Sequence, residues 1–284
     1  MVIVDLKSIT QPVGIVRILT TILTCMCFIL VATVGFDSSS YWGWCMFAWC
    51  FCCFLTLLIV ILEFTSVSRK LPFPWDDCTA AFAILASLLC LSASIIYPTF
   101  YTLKTNYRQI GASVVSWFCV AGYVGEVVLT HLRPRGETSG FLSTLPGIMK
   151  MLETFFSCLI FISLERGQYS GSPALQWCVA VYSLCFIFVI LIMVVSLTRL
   201  KSMFPFSFDK LAIVYNIVAA VMYITAMVIW PLYTFRNNTR PTNCGHLCTW
   251  DKQVFVTIMT IFNFIVYTLD TMYSIRLVFF VNNE

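Results

Sequence analysis

Few side chains in this sequence are of the types that perform catalysis or bind metals. The two histidines, His131 and His246, have no nucleophile or carboxylate at a spacing typical of a catalytic site. One Cys-x-x-Cys pair, Cys50 and Cys53, lies in an apolar run without a nearby histidine or acid. No phosphate-binding loop, nucleophile elbow or zinc-protease motif occurs. The sequence therefore predicts a protein that is not an enzyme and that needs no metal or cofactor.

Charged side chains inside apolar runs are more informative, because a charge in lipid is costly and normally has a partner. Arg17 and Glu126 lie at matching depths in the first half of the chain, and Lys150 and Asp270 lie at equivalent depths in the second half. This pattern predicts the ion pairs Arg17–Glu126 and Lys150–Asp270. The alternative is that each side chain extends independently towards water. Under either interpretation these residues predict packing rather than a transport pathway.

Three further kinds of site concern covalent modification. Asn237 begins an Asn-Asn-Thr glycosylation sequon, and Cys244 and Cys248 lie in the same loop. An oxidising compartment favours a local disulfide between these two cysteines, since His246 alone cannot complete a metal site. Cys78 lies at the predicted cytoplasmic mouth of the third apolar run and is a candidate palmitoylation site.

Long apolar runs must position these residues. Hydrophobic residues make up 60% of the 284 residues and charged residues 11%, whereas a soluble domain has about 25% charged residues. The runs are long enough to cross a bilayer as helices, which makes the chain a polytopic membrane protein. The predicted spans are residues 15–36, 42–62, 79–97, 111–132, 147–163, 174–197, 211–233 and 252–275.

The distribution of basic residues predicts the orientation of these spans. Eight spans with a cytoplasmic amino terminus leave 11 of the 17 basic residues inside and six outside. The outside set is Lys104, Arg108, Arg166, Arg236, Arg240 and Lys252. Both termini are then cytoplasmic, residues 1–10 form a short cytoplasmic lead, and the first span is an uncleaved anchor. The net charge of +4 indicates attraction to anionic inner-leaflet lipid and no nucleic-acid binding.

The chain contains an internal repeat. Pro72-Phe73 recurs 133 residues later as Pro205-Phe206, and Trp44-Cys45 recurs at the same offset as Trp177-Cys178. Beyond Pro231 the offset becomes 144, so the second copy has an 11-residue insertion in the loop that carries the sequon. The repeat predicts two four-span units, residues 11–137 and 142–281, that run in the same direction through the membrane.

The amino-acid sequences of both units resemble those of a known family. The segments ITQPVGIVRIL, WCFCCF, SASIIYPT, WCVAVYSLCFIF, WPLYTF and CTWDK, in this order and spacing, are similar to the myeloid-associated differentiation marker family, whose members carry MARVEL domains in tandem. The resemblance covers about residues 11–281 and implies an all-α integral membrane fold of eight transmembrane helices in two tandem parallel four-helix MARVEL bundles. It also implies roles in organising ordered or cholesterol-rich membrane, in membrane apposition or trafficking, and in cytoskeleton-linked cell spreading.

The expected partners follow from this surface and this resemblance. Membrane lipids come first, and Leu269, Tyr273 and Arg276 fit a proposed cholesterol-contact pattern. Other membrane proteins or a second copy of the chain are further candidates, as are cytoskeletal or signalling proteins at the inner loops. The expected location is the plasma membrane and its raft-like domains. The alternatives are a transporter or channel built on the duplicated bundle, and a cell-contact protein that acts through its last outer loop.

Overall fold

The structure of the protein is a computed structural model that describes residues 10–70, 75–102, 106–131, 144–197, 208–236, 238–242 and 248–276. In these ranges the long elements are all helices, and we number them in chain order. They are α1 (Pro12–Ala32), α2 (Ser40–Phe64), α3 (Trp75–Tyr101), α4 (Tyr107–His131), α5 (Leu145–Ser163), α6 (Pro173–Leu197), α7 (Phe208–Phe235) and α8 (Thr249–Arg276). A short 3-10 helix, Val67–Lys70, and a single helical turn, Arg166–Tyr169, lie between them.

All eight long helices are long and apolar enough to cross a membrane. The shortest, α5, has 19 residues, which corresponds to about 28 Å at 1.5 Å per residue. That length matches a hydrocarbon core of about 30 Å, in which a helix satisfies its own backbone hydrogen bonds. The predicted fold class is confirmed: the chain is a membrane protein whose described residues form an all-α fold with eight helices able to cross a membrane.

Most helix ends differ by a few residues from the predicted spans, and two of them have a local explanation. The first span was expected to reach residue 36, but α1 ends at Ala32, and Gly35 has a φ of 126° that a residue with a side chain rarely adopts. The third span was expected to end at residue 97, but α3 continues through Pro98 to Tyr101. A proline in the last helical turn removes only one backbone donor, so the helix tolerates it there. The Thr102 hydroxyl donates to the Pro98 carbonyl at 2.5 Å and helps to satisfy this helix end.

The chain divides into two compact units, Met1–Ser143 and Thr144–Glu284. In the first unit α1 packs on α2 and α4, and α3 packs on the same two helices, which closes a ring of four. In the second unit α5 packs on α6 and α8, and α7 packs on these two helices in turn. Each unit is therefore a four-helix bundle with the same order of neighbours.

Equivalent side chains make equivalent contacts in the two bundles. The indole Nε1 of Trp44 on α2 donates to Ser92 Oγ on α3 at 2.9 Å. In the second bundle Trp177 Nε1 on α6 donates to Thr225 Oγ1 on α7 at 3.1 Å. Each of these partners lies 133 positions after its counterpart. The repeat in the sequence is thus also a repeat of tertiary contacts.

Close packing of α1 against α4 depends on a glycine. A Cβ atom added at Gly122 would lie 2.3 Å from Cγ2 of Thr20, whereas nothing lies within 4 Å of the same position at Gly125. Thr20 is fully buried. Gly122 therefore sets the distance between two helices that carry charged residues at their shared end.

Candidate functional site

A buried ionic cluster holds together one end of the first bundle. Arg17, on the second turn of α1, donates from Nε to Oε1 of Glu126 on α4 at 2.6 Å, and it also donates to Glu63 at the end of α2. Trp75, the first residue of α3, donates from Nε1 to Oε1 of Glu63 at 3.0 Å. The arginine and Glu126 are almost fully buried, while Glu63 keeps 21% of its side chain exposed. All four helices of the bundle therefore contribute to this cluster.

The second bundle has a cluster at the equivalent position, but it is more deeply buried. Lys150 Nζ lies 2.8 Å from Glu153 Oε2 and 2.8 Å from Asp270 Oδ2, and it donates to Asn216 Oδ1 at 2.5 Å. Asn216 Nδ2 donates in turn to Asp270 Oδ2 at 2.7 Å. The three charged side chains are at most 3% exposed. The cluster joins α5, α7 and α8.

Each cluster combines one cation with two acids, but the second acid does not come from equivalent helices in the two bundles. The repeat aligns Glu63 of α2 with Ser196 of α6, and Thr20 of α1 with Glu153 of α5. The second acid therefore lies at the end of α2 in the first bundle and inside α5 in the second bundle. Glu153 is the ninth of the 19 residues of α5, so this carboxyl lies near the middle of its helix.

The structure brings together both predicted ion pairs, Arg17 with Glu126 and Lys150 with Asp270. Glu63, Glu153 and Asn216 are additional members that the sequence pattern did not predict. Glu63 lies just beyond the predicted second span, and Glu153 lies on the same helix as Lys150 without a counterpart acid at the equivalent position of the first half. Asn216 is a single amide in an apolar run. The one feature of the sequence that could have predicted its place in the cluster is its depth, which equals that of the charged residues.

A polar layer continues from this cluster into the centre of the second bundle. Asn263, midway along α8, donates from Nδ2 to the Tyr223 hydroxyl at 2.8 Å and to Ser157 Oγ at 3.1 Å. All three side chains are fully buried, and the Asn263 Oδ1 atom has no hydrogen-bond partner among the described residues. The second bundle therefore has polar side chains midway along its helices in addition to the charged cluster.

In the first bundle the repeat places Cys90 and Cys119 at the positions of Tyr223 and Asn263. With Cys27 and Cys52 they form a set of fully buried cysteines, one from each helix. The sulfur atoms of Cys27 and Cys119 are 3.9 Å apart. Among the described residues no group of three or more His, Cys, Asp or Glu side chains is arranged to hold a metal ion. The geometry is that of small apolar side chains that fill the space between four helices.

The opposite end of the second bundle contains two partly exposed ion pairs among the described residues. Arg240 Nη2 donates to Asp251 Oδ2 at 3.1 Å, and Lys252 at the start of α8 contacts Glu165. Cys248 forms a disulfide. The Cys244 partner predicted for it and the glycosylation site Asn237 lie outside the described residues, so the pairing and the modification stay predictions.

The remaining predicted sites lie on helix surfaces. Cys78 is a free, partly buried thiol in the first turn of α3. Leu269, Tyr273 and Arg276 lie on one face of α8, where Leu269 is 44% exposed and Arg276 is exposed. Each of these side chains is accessible from the surroundings of its bundle, and none belongs to a buried cluster.

Comparisons with known proteins agree with this architecture. The MARVEL family model, described as a membrane-associating domain, matches residues 8–129 and 141–273. The chain is 39% identical to the myeloid-associated differentiation marker homolog of Xenopus laevis, over 96% of this chain and 95% of that protein. It is 37% identical to the myeloid-associated differentiation marker of Homo sapiens, over 96% and 90% of the two chains, and 37% identical to the marker-like protein 2 of Mus musculus, over 96% and 94%. No solved structure matches the chain.

Proposed function

The chain belongs to the myeloid-associated differentiation marker family of tandem MARVEL-domain membrane proteins, and from this premise we propose that it organises ordered, cholesterol-rich membrane without catalysis. In this role it contributes to membrane apposition or trafficking and to cytoskeleton-linked cell spreading at the plasma membrane. Both termini face the cytoplasm, as the distribution of basic residues indicates.

The observation that carries this proposal is the separation of polar and apolar groups in each bundle. Charged side chains within the helices pair in the interior of their own bundle, Arg17 with Glu126 and Lys150 with Asp270. Large apolar side chains face outwards instead, and Phe54 and Phe118 are 62% and 60% exposed. A protein with this distribution presents a broad apolar surface to the acyl chains of the lipids, so lipids and neighbouring helices are its natural partners.

A cholesterol contact at Leu269, Tyr273 and Arg276 is the most specific part of the proposal. These residues form one strip of α8 that ends in a cation, which suits a sterol whose hydroxyl lies at the headgroup level. We expect a photoactivatable cholesterol analogue to label the purified chain in bilayers. We expect Tyr273→Ala to reduce that labelling several-fold, and Tyr233→Ala, an equally drastic change at the 57% exposed tyrosine of α7, to leave it unchanged. Equal labelling of the two variants would refute the sterol site.

Partition between ordered and disordered membrane tests the broader proposal. The full chain, tagged and expressed in cells, is expected to enrich in the ordered phase of vesicles derived from the plasma membrane. Removal of cholesterol should abolish this enrichment. Uniform distribution into the disordered phase would refute membrane organisation as the function, whether or not a sterol binds α8.

Cys78 offers a separate support for membrane partition. A palmitoyl chain on this first-turn thiol would add about 0.8 kcal/mol per buried methylene to membrane affinity. Acyl-exchange chemistry on the wild-type chain and on Cys78→Ser is expected to show one acyl group that the variant lacks. Retention of the signal in Cys78→Ser would place the modification on another cysteine.

A proton- or solute-coupled transporter is the second candidate, and the polar core of the second bundle favours it. Transporters characteristically carry ionisable and polar residues near mid-membrane, and Glu153 and Asn263 both lie midway along their helices. Flux assays in proteoliposomes decide between the two functions. Membrane organisation predicts no substrate or proton flux above that of empty vesicles, whereas flux that Glu153→Gln abolishes would establish transport.

A further inference from the structure

The ionic cluster of the second bundle contains more negative than positive charge. With all groups ionised, Lys150 carries one positive charge and Glu153 and Asp270 carry two negative charges. The three side chains are 3%, 0% and 1% exposed. An unbalanced charge in such an environment costs several kcal/mol, so buried groups usually become neutral instead.

The two carboxyl groups also share one cation. Lys150 Nζ lies 2.8 Å from Glu153 Oε2 and 2.8 Å from Asp270 Oδ2. If both carboxylates were ionised beside this one ammonium, a net negative charge would remain in a site that water does not reach, and like-charged carboxyls that close to one another share a proton. We propose that this pair is a proton-binding site, in which one proton resides on Glu153 beside the ionised Asp270.

The hydrogen-bond donors around the pair determine which carboxyl holds the proton. Asp270 accepts from Asn216 Nδ2 at 2.7 Å and from Ser274 Oγ at 3.3 Å, in addition to its contact with Lys150. Glu153 accepts from Lys150 at 2.8 and 3.1 Å. More donors stabilise the ionised form, so the negative charge resides on Asp270 and the proton on Glu153.

No second cation among the described residues faces this pair. Besides Lys150 on its own helix, the titratable groups near Glu153 are Cys185 of α6, Tyr215 of α7, and Asp270 and Tyr267 of α8. The thiol and both phenols are neutral at ordinary pH. A bound proton is therefore what balances the cluster.

The first bundle also has one cation and two acids, but its excess negative charge is stabilised by water. Its second acid, Glu63, lies at the end of α2 with 21% of its side chain exposed, so water can stabilise the excess charge. Glu153 lies at the centre of α5 and is fully buried. Proton binding is thus specific to the second bundle, and it lets a helix with two ionisable residues cross the membrane.

Infrared spectroscopy of the full chain in lipid nanodiscs tests the proposal. A protonated carboxyl gives a carbonyl band that carboxylates lack, and glutamate labelled with ¹³C in its side chain shifts this band only if the proton is on a glutamate. We expect the wild-type band to shift with labelled glutamate and to disappear in Glu153→Gln. Glutamine has nearly the size of glutamate and can still accept from Lys150, so this variant is expected to fold.

Two further variants complete the test. Asp270→Asn should also remove the band, because Glu153 then becomes the partner of Lys150 and ionises. Glu126→Gln, the control in the first bundle, should retain it. The proposal is overturned if the glutamate band is absent from the wild type or persists in Glu153→Gln, and the labelled wild-type chain gives this answer even if a variant does not fold.

Discussion

Replacement of Arg17 by methionine removes the cation of the first cluster. Two acids, Glu63 and Glu126, then remain beside an apolar side chain. Methionine keeps much of the volume of the arginine side chain, so packing changes little. Glu126, which is 1% exposed, loses its ion pair, while Glu63 retains some contact with water. The variant therefore measures the free energy of an isolated, buried carboxylate.

The magnitude follows from the cost of neutralising that carboxylate. Protonating an ordinary glutamate, with a pKa of about 4.3, costs about 4 kcal/mol at pH 7 and about 1 kcal/mol at pH 5. The first value agrees with the loss of about 3–5 kcal/mol expected when one partner of a buried ion pair is removed. Arg17→Met should thus destabilise the first bundle by about 4 kcal/mol at pH 7, and much less at pH 5.

Unfolding by SDS in mixed micelles, followed by circular dichroism, measures this change. Arg17→Met/Glu126→Leu should recover most of the lost stability, because an apolar pair can replace a buried ion pair at little cost. Arg108→Met, a change of an exposed arginine, should alter the unfolding free energy by less than about 0.5 kcal/mol. A single variant that is as stable as wild type, or a loss that does not depend on pH, would refute the argument.

Three further outcomes are expected. Gly122→Ala should destabilise the first bundle by about 1–3 kcal/mol, because its Cβ would collide with Thr20, and Gly125→Ala, with open space, should be neutral in the same unfolding assay. Trp44→Phe should cost about 1 kcal/mol, since its 2.9 Å hydrogen bond to a buried serine of α3 is lost; an unchanged unfolding midpoint would contradict this. Asn237→Gln should remove a glycosidase-sensitive gel shift of the wild-type chain, and a shift that persists would assign the glycan elsewhere.

The contacts of Gly122 and Trp44 show how far a sequence pattern can predict tertiary structure. Tryptophans at equal offsets predicted equivalent positions, but only the packed helices show that Trp44 and Trp177 bond to α3 and α7. Gly122 and Gly125 are both small residues of α4, but only Gly122 lies against α1, because helix rotation decides which small residue faces a neighbour.

The sequence by itself determined the eight helices and their duplication, because a long apolar run can cross lipid as a helix that satisfies its own backbone hydrogen bonds. It predicted the two ion pairs from the depth of the charged residues, but only the structure distinguishes pairing from independent extension towards water. The tertiary structure decided the rest of each cluster, since Glu63, Glu153 and Asn216 join it only through the rotation and pairing of their helices. It also decided that Cys27 and Cys119 meet inside the first bundle, whereas Asn263 meets Tyr223 and Ser157 inside the second, because that depends on which side chains face one another at one level.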